Sequence, residues 1–248
     1  MICPCQLGTF PVMFNIRTGL SGHLFGCPGG RSGRSSGCVS PAGPLPNMTL
    51  YDLKPRFQGL LRPMVAAMAA RGVTANQVTV AAAAGSVMLG LALGLWGEAR
   101  ALFLLLPVWL FLRMALNAVD GMLAREFGQK SDLGAYLNEI GDIVSDAALY
   151  LPFALVAPFD PAVVVLVVLL LTLTEVAGIL GVMVGAPRRY DGPMGKSDRA
   201  LVFGALGLWV GLGFSLPGWT RLLLWALAVL LTLTIVNRVR KGLGSVGA

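Results

Sequence analysis

Asp120, Gly121, Ala124, Arg125, Gly134 and Asp142 form the run D-G-x2-A-R-x8-G-x3-N-x3-D in a chain whose flanking residues are almost wholly apolar. Ionised side chains in such surroundings are expensive and mark functional paths. Between residues 48 and 248 there is no histidine and no cysteine. Imidazole acid-base catalysis, thiolate attack and zinc bound by soft ligands are therefore excluded from that part. What remains is carboxylate chemistry, carried near the apolar runs by Asp120, Glu126, Asp132, Glu139, Asp142, Asp146 and Glu175, with Asp191 and Asp198 further on. Hard oxygen ligands of this kind suit Mg²⁺ or Mn²⁺, which in turn suit phosphate substrates.

Spacing turns these carboxylates into a candidate site. At 3.6 residues per turn, Arg113, Asn117, Asp120, Gly121 and Ala124 share one helical stripe. Gly134, Asn138, Asp142 and Asp146, with Ser145, form a second at steps of four. Gly128, Ser131 and Asp132 can turn the chain between them and cap the next helix. Gly121, Ala124, Gly134 and Ala135 are small enough for the two backbones to approach closely. Facing oxygen side chains on close helices can hold a divalent cation. Asp120, Arg125, Asp142 and Asp146 could also serve only as interhelical ion pairs in a transporter or scaffold; two facing stripes favour the site.

The elements that must carry these stripes are membrane spans. The chain is 56% hydrophobic and 12% charged, about half the charge of a soluble domain, so an integral membrane protein is expected. Apolar runs of span length fall near Val78 to Trp96, Leu102 to Met122, Leu133 to Ala157, Ala162 to Val184, Ala200 to Leu216 and Leu222 to Val239. This predicts an all-α, polytopic protein with six transmembrane helices. Lys and Arg collect before the first run, between the second and third, between the fourth and fifth and after the last, whereas the other side receives Arg100 and Arg221. By the positive-inside rule both termini and the candidate site are cytoplasmic, in a multi-pass cell-membrane protein. The net charge of +7 needs no nucleic acid; anionic lipid headgroups and phosphate substrates account for it.

Residues 1–47 are different material, with all four cysteines (Cys3, Cys5, Cys27, Cys38), the one histidine (His23) and clusters of Gly, Pro and Ser. No hydrophobic period survives there, so the segment is expected to be a disordered extension, with Met48 as an alternative start. Residues 48–248 are then the functional domain.

In this domain the sequence resembles the CDP-alcohol phosphatidyltransferases. Their pattern is D-x2-D-G-x2-A-R-x8-G-x3-D-x3-D; here Asn117, Asp120, Gly121, Ala124, Arg125, Gly134, Asn138 and Asp142 occupy it, with six of the eight positions matching. Gly72 to Thr79, GVTANQVT, is similar to the family's G-x-T-P-N-x-x-T entry to the first span. The resemblance implies the six-span fold, preceded by a juxtamembrane amphipathic helix over Tyr51 to Arg71. It also implies a reaction in phospholipid biosynthesis: a CDP-linked lipid such as CDP-diacylglycerol gives its phosphatidyl group to the hydroxyl of a small polar alcohol, releasing CMP. By position, Asp120 is a metal ligand and Asp142 both ligand and candidate general base. Thr74, Asn76, Thr79, Gly121, Ala124, Arg125 and Gly134 are placed on the nucleotide side. A homodimer is a possible further partner.

Two positions depart from the pattern. Asn117 and Asn138 stand where the family has aspartates, leaving two potential charges of four. An amide oxygen still coordinates Mg²⁺ or Mn²⁺, but one unit charge pair at ~4 Å is worth about 4 kcal/mol at an effective dielectric of 20, so metal affinity is expected to fall. Asp146, one turn below Asp142, is the expected compensating ligand. Both replacements keep an acceptor oxygen of the same shape, which favours a retained cage of altered charge. The loop Arg188 to Arg199 is similar to the family's phosphate-meeting G-K-x-x-[RK] stretch, which makes Arg188, Lys196 and Arg199 the expected acceptor-binding residues. A catalytically weak or inert CDP-lipid binder is the alternative reading.

Overall fold

The computed structural model describes residues 50–97 and 99–245, and the readings made on residues 1–47 lie outside them. Among the described residues the chain is all helical. Its α-helices are α1 (Leu50–Ala70), α2 (Ala75–Leu95), α3 (Leu105–Glu126), α4 (Asp132–Tyr150), α5 (Pro161–Met183), α6 (Lys196–Gly211) and α7 (Thr220–Gly244). Short 3₁₀ turns precede α3 (Arg100–Leu104) and follow α4 (Leu151–Leu155).

Local chemistry sets the helix ends around the site. Thr74 and Gln77 close a capping box at the start of α2: the Gln77 amide donates to Thr74 Oγ1 (3.2 Å), and the Thr74 amide to Gln77 Oε1 (3.0 Å). Ser131 caps α4 by accepting from the Gly134 amide (3.0 Å), after a turn that Gly128 makes at φ +69°. Gln129 ties this turn to the start of α2, accepting from the Ala75 amide (2.6 Å) and donating to Val73 O (3.2 Å). The α3–α4 hairpin and the N-terminus of α2 are thus clasped together at one end of the bundle.

Small residues set how closely the helices pack. A Cβ on Gly90 of α2 would collide with the Ala148 carbonyl of α4, and one on Gly85 with the Trp109 ring of α3. That space lets Trp109 Nε1 donate to Ser86 Oγ (2.9 Å). One turn beyond Asp146, Tyr150 stacks on Phe203 of α6 with centroids 4.0 Å apart, and Phe153 packs edge-on to Phe103 at 5.3 Å. These aromatics anchor the core that α3 to α7 share. A second cluster joins Val65 of α1 to Val78, Val119, Met122 and Leu123, so α1 lies against the α2–α3 pair near the site.

Four stretches are long and apolar enough to cross a membrane: Ala75–Leu95, Arg100–Glu126, Pro161–Met183 and Thr220–Gly244. They correspond to the first, second, fourth and sixth apolar runs. The other two runs are helical but differ in kind. α4 carries Asp132, Glu139, Asp142 and Asp146, and α6 has only 16 residues. α4 also ends earlier than the apolar run suggests, because Pro152 has no amide to donate and the chain tightens into a 3₁₀ turn. α6 starts at Lys196 rather than Ala200, because Asp198 folds back to accept from the Gly195 amide (2.8 Å) and fixes the helix start there.

Candidate functional site

The site lies where α2, α3 and α4 meet beside the clasped hairpin. Thr79 of α2 reaches α3: its hydroxyl oxygen is 2.8 Å from Asp120 Oδ2 and 3.1 Å from Ala75 O, and its one proton serves one of these acceptors at a time. Asn117 bridges α3 to α4 by donating from Nδ2 to Asp142 Oδ1 (3.3 Å). An aspartate at 117 could not make that bond. The two glycines hold space for polar groups. A Cβ on Gly134 would lie 2.7 Å from Asn76 Oδ1, and one on Gly121 would lie 2.9 Å from the guanidinium of Arg125, which folds back over it. Thr79 with Asp120, Asn76 with Gly134, Gly121 with Arg125, and Asn117 with Asp142 are therefore each brought together. Thr74 sits at the same helix start, with its hydroxyl engaged as the α2 cap.

Behind this front runs a buried ion-pair network. Arg113 of α3 spans one turn of α4, donating to Asp146 Oδ1, to Asp142 Oδ1 (3.0 Å) and to Asp142 O (3.1 Å). Lys196, first residue of α6, pairs with Asp142 Oδ2. Arg199, three residues on, is 1% exposed; its Nε lies 3.0 Å from Asp146 Oδ2, and its Nη2 donates to Glu175 Oε1 (2.6 Å). Glu175 of α5 also meets Arg188 (3.3 Å) and Arg238 of α7 (3.6 Å). Arg188 pairs with Glu139 through its other terminal nitrogen. Asp146 is accordingly held between two arginines, behind Asp142. Arg199 points inward from the first turn of α6 rather than out toward a ligand.

Glu139, Glu175, Arg113 and Arg238 belong to this network although pattern matching does not single them out as site residues. Arg238 had a signal in the sequence: it lies inside the last apolar run, not beyond it. Its side chain is buried and donates to Thr174 O and, through Nε, to Asp191 O (3.3 Å).

Among the described residues no three carboxylate, imidazole or thiol groups converge as a ready-made metal cage. The donor set is Asp120 and Asp142, with the amides of Asn117 and Asn138 on the same two stripes. These oxygens fit one hard divalent cation in chemistry, provided that Lys196 leaves Asp142. Lys196 is one-third exposed on a flexible stem, so it can move; Arg113, nearly fully buried, cannot.

The sequence model of the CDP-alcohol phosphatidyltransferase family matches residues 72–236. The chain is 50% identical to the inner membrane protein YnbA of Escherichia coli K12 over 194 residues, 78% of this chain and 96% of that one. It is 30% identical to the phosphatidylinositol phosphate synthase of Streptomyces avermitilis over 193 residues, 74% of this chain and 78% of the relative. The fold is shared with the phosphatidylinositol phosphate synthase of Mycobacterium tuberculosis in two crystal structures. The one with CDP-DAG bound superposes with a TM-score of 0.61 over 73% of this chain and 92% of the other, at 20% identity. The one with manganese and citrate gives 0.60 over 73% and 87%, also at 20% identity.

Proposed function

We propose that this chain, which belongs to the CDP-alcohol phosphatidyltransferase family, transfers a phosphatidyl group from a CDP-linked lipid such as CDP-diacylglycerol to the hydroxyl of a small polar alcohol. The observation that carries the reading is the facing of α3 and α4 across the Asn117–Asp142 bond, with Asp120 one turn along and the Asn76–Gly134 and Gly121–Arg125 pairs at the rim. In the reaction the acceptor oxygen bonds to the phosphatidyl phosphorus as the P–O bond to CMP breaks. CMP leaves with the electron pair, and the hydroxyl proton passes to the Asp142 carboxylate. Arg113 holds that carboxylate in position from behind. Lys196 covers its other oxygen and, on swinging away, exposes the base and adds positive charge beside the pyrophosphate. Thr79 orients Asp120, while Asn76 and Arg125 lie where a nucleotide phosphate would meet hydrogen-bond donors. Mg²⁺ or Mn²⁺ held by Asp120, Asp142, Asn117 and Asn138 would supply charge neutralisation on the pyrophosphate oxygens. Transfer of this kind needs positioning and electrostatics more than covalent help, which agrees with the absence of histidine and cysteine from residues 48–248.

The same reading includes a six-span domain over residues 48–248, in which α4 and α6 cross with the four more apolar helices because Asp142, Asp146 and Arg199 face the bundle interior. α1 lies along the cytoplasmic face as an amphipathic helix. The clustering of Lys and Arg supports a cytoplasmic site and cytoplasmic termini, and anionic lipids are the natural surroundings of that face.

The test is CMP release from CDP-diacylglycerol by the protein in liposomes with Mn²⁺ or Mg²⁺ and a panel of small alcohols. Release is expected, and Asp142→Asn should lower it by about 10²-fold or more. One observation favours a second reading, a weak or inert CDP-lipid binder: both Asp142 oxygens are already engaged by cations. Tight CDP-lipid binding without CMP release, under either metal and with any acceptor, would establish that alternative.

A further inference from the structure

Resting on the transfer reaction above, we infer that Asp146 is a positioning residue for Asp142: by holding one arm of the Arg113 guanidinium, it keeps Asp142 Oδ2 available to the reacting groups. Spacing makes Asp146 the expected compensating metal ligand, but its surroundings give it a different task. Both of its oxygens face arginines, Oδ1 toward Arg113 Nη1 and Oδ2 toward Arg199 Nε (3.0 Å), and all three side chains are buried. A cation could reach that carboxylate only by entering between two guanidiniums, against like charge.

The two oxygens of Asp142 are unlike. Oδ1 accepts from Arg113 Nη2 (3.0 Å) and Asn117 Nδ2 (3.3 Å), both from α3 and one turn apart, which engages both of its lone pairs. Among the described residues the charged partner of Oδ2 is Lys196, whose side chain is one-third exposed and can move. An arginine facing a lone carboxylate closes on it as a fork, one terminal nitrogen to each oxygen. Arg113 does not, because α4 presents a second carboxylate one turn further on and Nη1 goes there. Nη2 alone is left for Asp142, where it meets Oδ1 and the main-chain oxygen (3.1 Å). The guanidinium thus fixes the Asp142 side chain without occupying the oxygen that takes the acceptor proton, as the new O–P bond forms and CMP leaves with the electron pair of the old one. Arg199 completes the arrangement. Its Nη2 donates to Glu175 Oε1 (2.6 Å), which holds it beside Asp146 and balances its charge.

The test uses the full chain, with CMP release measured in liposomes and folding followed by the thermal midpoint. Asp146→Asn frees Arg113 to close on both Asp142 oxygens, so kcat should fall by about tenfold or more while KM for CDP-diacylglycerol stays within about threefold. Adding Arg113→Met removes the arm that closes, and should raise kcat by about fivefold or more over Asp146→Asn alone. A metal ligand or a merely structural carboxylate predicts no such recovery, since the second buried substitution would only add damage. An unchanged kcat in Asp146→Asn, or no recovery in the double variant, overturns the inference and leaves the transfer reaction standing. Absence of CMP release from the native chain with every acceptor removes the transfer reaction instead. In that event, or where Asp146→Asn fails to fold, direct Mn²⁺ titration of the Arg113→Met/Asp146→Leu protein decides, because this variant removes both charges of the pair together. A midpoint no more than about fivefold weaker than the native one supports the inference. A weaker midpoint, or a native chain that binds no Mn²⁺, overturns it.

Discussion

Asn117 and Asn138 change the character of the site more than any other two residues. Asn117 supplies a donor to Asp142 that an aspartate would lack, so the carboxylate is steadied by Asn117, Arg113 and Lys196 where the family pattern has two more negative charges. Restoring them should strengthen cation binding. Asn117→Asp with Asn138→Asp is expected to lower the Mn²⁺ midpoint, in direct metal titration of the purified protein, by about tenfold or more. An unchanged midpoint would mean that these side chains do not contribute to the cation site. α-Helical period alone puts Asp120 and Gly121 on one stripe and Asp142 on another, whereas Arg125 is picked out by the family pattern rather than by the stripe. Asp146 illustrates what spacing leaves open. It shares the stripe of Asp142, yet a guanidinium from α3 and another from α6 surround it, and neither partner is close in sequence.

Among the elements, the α5–α6 connection does the most work. Residues 184–195 fold back on α5 and α7, with the Met194 amide donating to Thr234 Oγ1 (3.1 Å) and the Ala186 amide to Gly181 O (2.9 Å), and this delivers Lys196 and Arg199 to α4. Arg199 fastens α6 to α4 and α5 at once. Arg199→Met leaves Asp146 and Glu175 under-compensated in the interior and should cost about 3 kcal/mol or more. In mild detergent this is expected to appear as a fall of about 10 °C in the thermal midpoint. Arg62→Met breaks only the exposed pair with Glu126 and should leave the midpoint unchanged.

The connection also carries a pH-dependent tie. Asp191 bonds Lys241 (2.8 Å) and Arg189 (2.8 Å), and the bond from Lys241 foremost holds its carboxyl below the usual carboxylate range. A depressed folded-state pKa gives stability that is present above the unfolded value, about 3.9, and lost as pH falls through the folded one. Hydrogen exchange of residues 184–195 should therefore be flat from pH 8 to 5 once corrected for intrinsic rates, and rise below about pH 4. Asp191→Asn should raise it at neutral pH.

For the whole molecule, orientation is the property to measure. With Cys3, Cys5, Cys27 and Cys38 replaced by serine, single cysteines at Ser245 and Gly218 should be labelled from opposite sides of the membrane, Ser245 from the cytoplasm. Labelling of both from one side would overturn the six-span reading. Composition by itself determined the class of protein and most of the helices, because the hydrocarbon interior demands long apolar stretches and leaves little freedom in how they are written. The motif determined which two helices must face each other, since intramembrane charge at helical spacing has few alternatives. Only the tertiary structure decided the charge partners: Glu175 shared by Arg188, Arg199 and Arg238, and Glu139 by Arg188 beside Asp142. Ion pairing depends on which side chains meet across helices distant in sequence, and no local period encodes that choice.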